Sequence, residues 1–138
     1  MASIRKEVFI AVPPSQVWDA LRDVGALHTR LVSGFVTDCR MDGDARVVTF
    51  ANGMVARELI VDVDDNERRV VWASVGGRLT HHNASAQVFA EGIGSSLVVW
   101  MADLLPNELA PAITGMIEQG LLAMKKTLES ALTSPAAP

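Results

Sequence analysis

Two side chains in this sequence, the carboxylate of Glu58 and the imidazole of His82, could together do acid–base chemistry. Each lies in a strand-like run of mostly apolar or small residues. A carboxylate that faces an apolar cavity is unfavourable unless it is paired or protonated, and histidine changes its charge near neutral pH. If both face one cavity, they could orient a ligand or act as acid and base. The structural alternative for Glu58 is an ion pair with a cation such as Arg57, or exposure near a strand end.

Other chemistries find little support in the residue types and their spacing. The adjacent His81 and His82 point to opposite sides of a strand, so with His28 they form no convincing metal-binding set. The single Cys39 has no matched base for nucleophilic catalysis, and we expect it to be a buried apolar side chain. No Gly-x-Ser-x-Gly, phosphate-binding or dinucleotide glycine motif occurs. We therefore expect neither a metal nor a cofactor.

These candidates belong to a series of strand-like runs separated by turn sequences such as Asp42-Gly43-Asp44 and Asn52-Gly53. Because hairpin follows hairpin, the sheet should be antiparallel. The predicted strands are Ser3–Val12, Gly34–Arg40, Ala45–Ala51, Met54–Val63, Arg68–Val75, His81–Ala90 and Ser95–Ala102.

In the sixth run alanines alternate with polar residues, which places His82, Ala84 and Ala86 on one inward face. Small side chains on that face should leave open volume, which a packed core would otherwise fill.

Two short helices and one long helix complete the pattern. Gln16–Asp23 follows two prolines, which suit a first helical turn, and Asp23–Arg30 forms the second short helix. The long helix runs from Pro106 to about Leu132, with Asn107 as its N-cap. We expect a disordered tail at Ser134–Pro138.

One apolar face of the long helix is formed by Ile113, Ile117, Gly120 and Met124, with Met116 beside it. Gly120 is unusual in a helix interior, where it costs about 1 kcal/mol relative to alanine. Its lack of a side chain either makes room for a ligand or lets the helix approach the sheet, and the sequence leaves both open.

Length and composition are those of a single globular domain, which we place at residues 1–133. The 138 residues are 49% hydrophobic and 20% charged, with a net charge of -4. No basic stripe indicates nucleic-acid binding. No apolar run approaches the ~20 residues of a membrane helix, and no signal peptide is evident. We expect a cytoplasmic protein, in keeping with the single cysteine.

This ordered set of elements resembles the helix-grip fold of START-like domains, pollen allergens and polyketide cyclase/dehydrase-like proteins, often grouped as SRPBCC. IAVPPSQVWDAL is similar to the family's opening strand and Val-Trp helix, and GLLAMKKTLE to its closing helix. ARELIVDVDDNERRVVWASVGG, followed by HHNASAQV, is similar to the corresponding series in plant abscisic-acid receptors and their bacterial relatives. The receptors' longer gate loop is replaced by ANGM and their latch by RLTH, so a hormone-gated phosphatase-inhibitor role is not supported.

The resemblance implies an α+β helix-grip fold: a seven-stranded antiparallel sheet wrapped round the long C-terminal helix, with two short helices after strand one. On strand four, the side-chain pattern alone would place Leu59 and Val61 inside with Val55. The resemblance places Glu58 inside with its alternate neighbours, and we follow it. The expected ligand-binding residues are Phe35, Ala56, Glu58, Trp72, Ser74, His82, Ala84, Ala86, Val98, Trp100, Met116 and Gly120. Ala84 stands where the family has tyrosine, which should enlarge the cavity or remove a polar anchor.

The same choice of faces puts a row of apolar residues on the outside of the sheet. An exposed apolar surface of that size marks a contact site, and we predict a homodimer or another partner there. The alternative is that β-branched residues merely favour strands. The residues concerned are Leu59, Val61, Val63, Val71, Ala73, Val75, Leu97 and Val99.

The predicted function is the binding of a small hydrophobic or amphipathic ligand (a lipid, polyketide or aromatic metabolite) in an internal cavity, oriented by Glu58 and His82. The alternative is a polyketide cyclase/dehydratase-like enzyme with the same two residues as acid and base. A third hypothesis is a stress-response or client-binding protein that uses the apolar outer face.

Overall fold

A computed structural model describes residues 1–133 of the chain, and the predicted tail Ser134–Pro138 lies outside the described residues. Seven antiparallel strands form one sheet in the order β1-β7-β6-β5-β4-β3-β2, and one long helix packs against its inner face. The predicted helix-grip fold is confirmed. The strands are β1 Ala2–Ile10, β2 Val36–Asp42, β3 Ala45–Phe50, β4 Val55–Asp64, β5 Arg69–Val75, β6 His81–Ala90 and β7 Ser96–Leu105.

The helical segments differ from the prediction mainly at their ends. Helix α1 spans Pro14–Leu21, and the second short helix is a single π-helical turn at Leu27–Leu31. The prediction of Asn107 as an N-cap is wrong, because Asn107–Leu109 forms a 3-10 turn and α2 spans Ala110–Thr133. Pro111 explains the later start: it has no N–H to donate four residues back and so belongs in the first turn of a helix.

The predicted apolar face of α2 packs against the sheet. Ile117 and Met124 are buried, and Leu128 continues the same face toward the end of the helix. They join one continuous core with inward residues of β1 and β7 such as Ile4 and Val98. No helix in residues 1–133 is both long and apolar enough to cross a membrane.

A β-bulge in β4 changes which residues face outward. Ile60 pairs with Trp72, but Asp62 pairs with Val71, so Val61 has no partner of its own. An extra residue of this kind shifts the alternation of side chains beyond it. Val63 therefore packs against the core, and its predicted place on the outer face is wrong.

The outer face of the sheet is apolar only in part. Leu59, Val61 and Val75 are exposed there, whereas Val71 and Val99 are buried although they face outward. The exposed apolar surface is thus smaller than the sequence predicts. Homodimerisation through it remains a prediction, which light scattering at micromolar concentration would test.

Candidate functional site

A cavity of about 460 Å³ lies between α2 and strands β3–β6. Its deeper wall is mostly apolar and includes Leu31, Val48 and Met124. At its other end, exposed residues of the loops after β3 and β5, such as Met54 and Gly77, border it and form a mouth. The sheet and helix thus enclose an apolar space that opens to solvent at one end.

Most of the predicted site residues lie on the wall of this cavity. Pairing along β4 and β5 turns alternate residues of each strand inward, which confirms the choice of inner face that followed the resemblance. Leu59 and Val61 of the rejected pattern are exposed and do not line the cavity, whereas the exposed Val55 borders it. The predicted residues on the wall are Phe35, Ala56, Glu58, Trp72, Ser74, His82, Ala86, Trp100 and Met116.

Three predicted residues, Ala84, Val98 and Gly120, do not line the cavity. Ala84 and Val98 are buried in the core, so Ala84 does not enlarge the cavity. A Cβ atom added to Gly120 would lie 2.8 Å from Cζ3 of Trp100 and 3.3 Å from Cε2 of Phe35. Gly120 therefore lets the helix approach the sheet, and the alternative that it makes room for a ligand is wrong.

The predicted carboxylate, Glu58, is held by a partner that the sequence did not reveal. Arg46 on β3 donates from Nε to Oε1 of Glu58 over 2.8 Å, and the two side chains are only 5% and 10% exposed. Arg57, the partner considered from the sequence, instead binds Asp42 on the outer face over 2.7 Å. The cavity wall thus contains a buried ion pair.

Two further contacts fix the position of the Arg46 guanidinium. Nη1 donates to the backbone oxygen of Val24 over 3.2 Å, and the guanidinium carbon lies 5.3 Å from the centroid of the Trp72 ring. Stacking on an aromatic face suits the planar, weakly hydrated guanidinium. Arg46 is therefore held from three sides and is not free to swing toward a ligand.

Loop length explains why the sequence hid this pair. The predicted two-residue Asn52-Gly53 turn would place Arg46 opposite Leu59. The actual loop has three residues, with the amide of Phe50 bonded to the oxygen of Met54, and it places Arg46 opposite Glu58. Gly53, at a φ of 88°, supplies the left-handed residue that such a loop requires.

His82 lies on the cavity wall in a defined hydrogen-bonding state. The backbone N–H of Ser74 donates to its Nδ1 over 2.9 Å. Burial lowers the pKa of His82, and the neighbouring His81 adds to the effect. The neutral ring with an accepting Nδ1 must carry its proton on Nε2, so His82 is a hydrogen-bond donor toward other groups.

Glu58 and His82 face the same cavity but are not adjacent. Glu58 pairs with Ser74 across β4 and β5, and Ser74 is in turn bonded to His82. Two strand spacings, roughly 10 Å, therefore separate the backbones of Glu58 and His82. Arg46, Glu58, Ser74 and His82 form a polar row across four strands of an otherwise apolar wall.

Aromatic rings form much of the remaining wall. Trp72 and Trp100 pack edge to face with centroids 5.6 Å apart, and Phe35 and Phe50 pack the same way at 5.5 Å. Phe35 immediately precedes β2, although the sequence placed it within that strand. This geometry suits the ring quadrupoles and gives the cavity rigid, flat walls.

The remaining candidates for chemistry lie elsewhere. Cys39 is buried as predicted, and burial raises the pKa of its thiol. His81 is exposed and His28 does not line the cavity. Among residues 1–133, no three His, Cys, Asp or Glu side chains come together as metal ligands would.

The sequence model of a family described as polyketide cyclase / dehydrase and lipid transport matches residues 1–129. No curated protein matches the chain.

Several solved structures are similar to the whole chain. The protein XoxI from Bacillus cereus is 20% identical with a TM-score of 0.84, covering 96% of this chain and 99% of that one. Norcoclaurine synthase from Thalictrum flavum, in complex with dopamine and hydroxybenzaldehyde, is 19% identical with a TM-score of 0.74, covering 99% and 89%. The di-domain ARO/CYC protein BexL of the BE-7585A biosynthetic pathway is 16% identical with a TM-score of 0.82, covering 98% and 48%. At these identities the likeness shows the fold alone.

Proposed function

We propose that this chain, which belongs to the polyketide cyclase/dehydrase and lipid transport family, binds one small hydrophobic or amphipathic molecule in its internal cavity. The observation that carries the proposal is the cavity itself, about 460 Å³ of mostly apolar space crossed by one polar row. Small-molecule sites have this character: apolar walls supply affinity and a few placed polar groups fix orientation.

The aromatic wall supports a ligand with a flat or extended apolar body, such as a polyketide, an aromatic metabolite or a lipid chain. Trp72 and Trp100 both line the space, and their rings pack edge to face. Such surfaces favour stacking with other aromatic groups as well as plain apolar contact. The polar row then determines which end of the ligand lies toward β3–β6.

Native mass spectrometry of protein purified without detergent tests the proposal, followed by calorimetric titration with apolar aromatic and fatty-acyl compounds. We expect a stoichiometric adduct or a saturable 1:1 isotherm. Ala56→Phe, whose ring would occupy part of the cavity, should abolish this binding. Ala73→Phe, on the outer face of the neighbouring strand, is the matched control and should bind like the wild type. Binding that survives Ala56→Phe, or no binding by the folded wild type, would contradict the proposal.

The alternative function, acid–base catalysis by Glu58 and His82, has less support from the geometry. Nδ1 of His82 already accepts the Ser74 amide proton, so the ring offers no free basic nitrogen. Glu58 is bound to Arg46 and lies two strands from His82. An enzyme of this kind would lose turnover but keep ligand affinity on Glu58→Gln, which distinguishes it from a binding protein.

A further inference from the structure

Formal charge inside the cavity is already balanced. Arg46 and Glu58 neutralise each other at 2.8 Å. Arg57 borders the cavity, but its guanidinium binds Asp42 on the other face of the sheet. Arg78 is exposed at the mouth. Within the cavity, a charged ligand group would therefore meet only the Arg46–Glu58 pair, whose two charges already balance each other. The ligand charge would be buried without a counter-ion, which is strongly unfavourable.

Uncharged polar groups, in contrast, are available on the wall. The Ser74 amide occupies Nδ1 of His82, which leaves the proton on Nε2. Within residues 1–133, no side chain or backbone oxygen is bonded to this Nε2–H or to the Ser74 hydroxyl. Both residues line the cavity. They offer a directed donor beside a hydroxyl that can donate or accept.

We propose that His82 and Ser74 form a subsite for an uncharged oxygen of the ligand, a ketone carbonyl or a hydroxyl, and that the part of the ligand inside the cavity carries no formal charge. This inference rests on the proposed function and narrows its ligand class. Selectivity follows because a ligand without such an oxygen leaves Nε2–H desolvated and unpaired. His82 is thus a specificity-determining residue that acts as a neutral donor.

Three compounds of one ring system test this: 9-fluorenone, fluorene and fluorene-2-carboxylate. Each is titrated calorimetrically into the wild type and His82→Asn. Asparagine can still accept the Ser74 amide proton through Oδ1, but it lacks the Nε2 donor. We expect the variant to weaken fluorenone about 3- to 10-fold more than fluorene, which is the effect of one neutral hydrogen bond. Because Arg78 could pair with a carboxylate at the mouth, the carboxylate is compared with the ketone in Arg78→Gln, where it should bind at least about 10-fold more weakly.

The outcomes separate this inference from the proposed function. Equal losses for fluorenone and fluorene, or a carboxylate that binds Arg78→Gln as tightly as the ketone, would overturn the subsite while leaving cavity binding intact. Failure of all three compounds to bind the folded wild type would count against cavity binding, and with it the subsite.

Nitrogen-15 NMR of the wild-type imidazole provides a second readout that does not need the variant to fold. We expect the Nε2–H tautomer, with an Nε2 resonance that shifts when fluorenone is added and shifts far less with fluorene. An Nδ1–H tautomer, or equal shifts with both compounds, would contradict the subsite.

Discussion

The inner face of the sheet has two halves that meet the long helix differently. On β1 and β7, short or aliphatic side chains such as Val98 let α2 pack directly, and Gly120 brings its backbone close to Trp100. On β3–β5 the inward residues include Arg46, Glu58 and Trp72, and a cavity separates them from the helix. Aliphatic side chains and Gly120 accompany the close packing, Trp100 lies at the border of the cavity, and the ion pair faces the open space.

This difference limits the inference from small side chains to open volume. Alanines on strand six suggested open volume, and Ala86 does line the cavity, but Ala84 is buried in the core. Backbones move together when side chains are small, because interiors are close-packed. Large side chains that hold one another in place, such as Trp72 against Trp100 and Arg46, keep the helix away from the other half of the sheet.

The largest expected effect comes from breaking the Arg46–Glu58 ion pair, in the half of the sheet that faces the cavity. Glu58→Leu should lower the free energy of unfolding by about 3–5 kcal/mol, because it leaves the Arg46 guanidinium buried without its counter-ion. Urea denaturation measures the change. The double variant Arg46→Met/Glu58→Leu buries no charge and should recover most of the loss. A single-variant loss below about 1 kcal/mol would show that Arg46 is solvated within the cavity.

In the half of the sheet that packs directly against α2, one added methyl group should change the stability of the fold. Gly120→Ala should lower the free energy of unfolding by about 1–3 kcal/mol, because the new Cβ lies 2.8 Å from Trp100. The cost of this overpacking outweighs alanine's better helix propensity. Gly115→Ala is the matched control in the same helix. It meets nothing within 4 Å and should raise stability by about 0.5–1 kcal/mol. Equal effects at both positions would refute the close approach.

The polar row should also give the fold a pH dependence. The folded pKa of His82 is lowered from the ordinary 6.5, so as pH falls below that value the unfolded chain takes up a proton first. Stability should then decline toward the folded pKa, by no more than about 1.4 kcal/mol per pH unit. Urea titrations between pH 7.5 and 5 measure the slope. His82→Asn should flatten it, and an unchanged slope in the variant would assign it to other groups.

The smallest effect is expected for the exposed counterpart of the buried pair. Arg57 and Asp42 meet at 2.7 Å, but their side chains are 45% and 56% exposed. Arg57→Gln should lower the free energy of unfolding by less than about 1 kcal/mol, and less still in 1 M salt. A loss comparable to that of Glu58→Leu would mean that burial does not distinguish the two pairs.

The sequence predicted the fold from local signals, and nine of its twelve predicted site residues lie on the cavity wall. Alternation along the strands, together with the resemblance, identified the inward Trp72, Ser74 and His82. Turn sequences separated the strands in the correct order. Errors at the ends of elements, such as Asn107, arose where Pro111 outweighed a capping preference.

What the sequence missed depends on register and on three-dimensional distance. One additional loop residue determines that Arg46, and no other cation, meets Glu58. The bulge at Val61 reverses which side chains of β4 face inward beyond it, and no glycine or other turn residue in the sequence indicates it. Gly120 had two meanings, which only the distance between the helix and the sheet could separate.

The sheet order has a consequence for how the chain assembles during synthesis. Strands β2–β6 each pair with their neighbour in sequence, so these hairpins can form as they leave the ribosome. In contrast, β1 pairs with β7, which is synthesised much later, and Ala2 lies opposite Leu104. Much of the inner surface of the growing sheet therefore stays uncovered until α2 emerges, and the packing of α2 turns that open apolar surface into a cavity with one mouth.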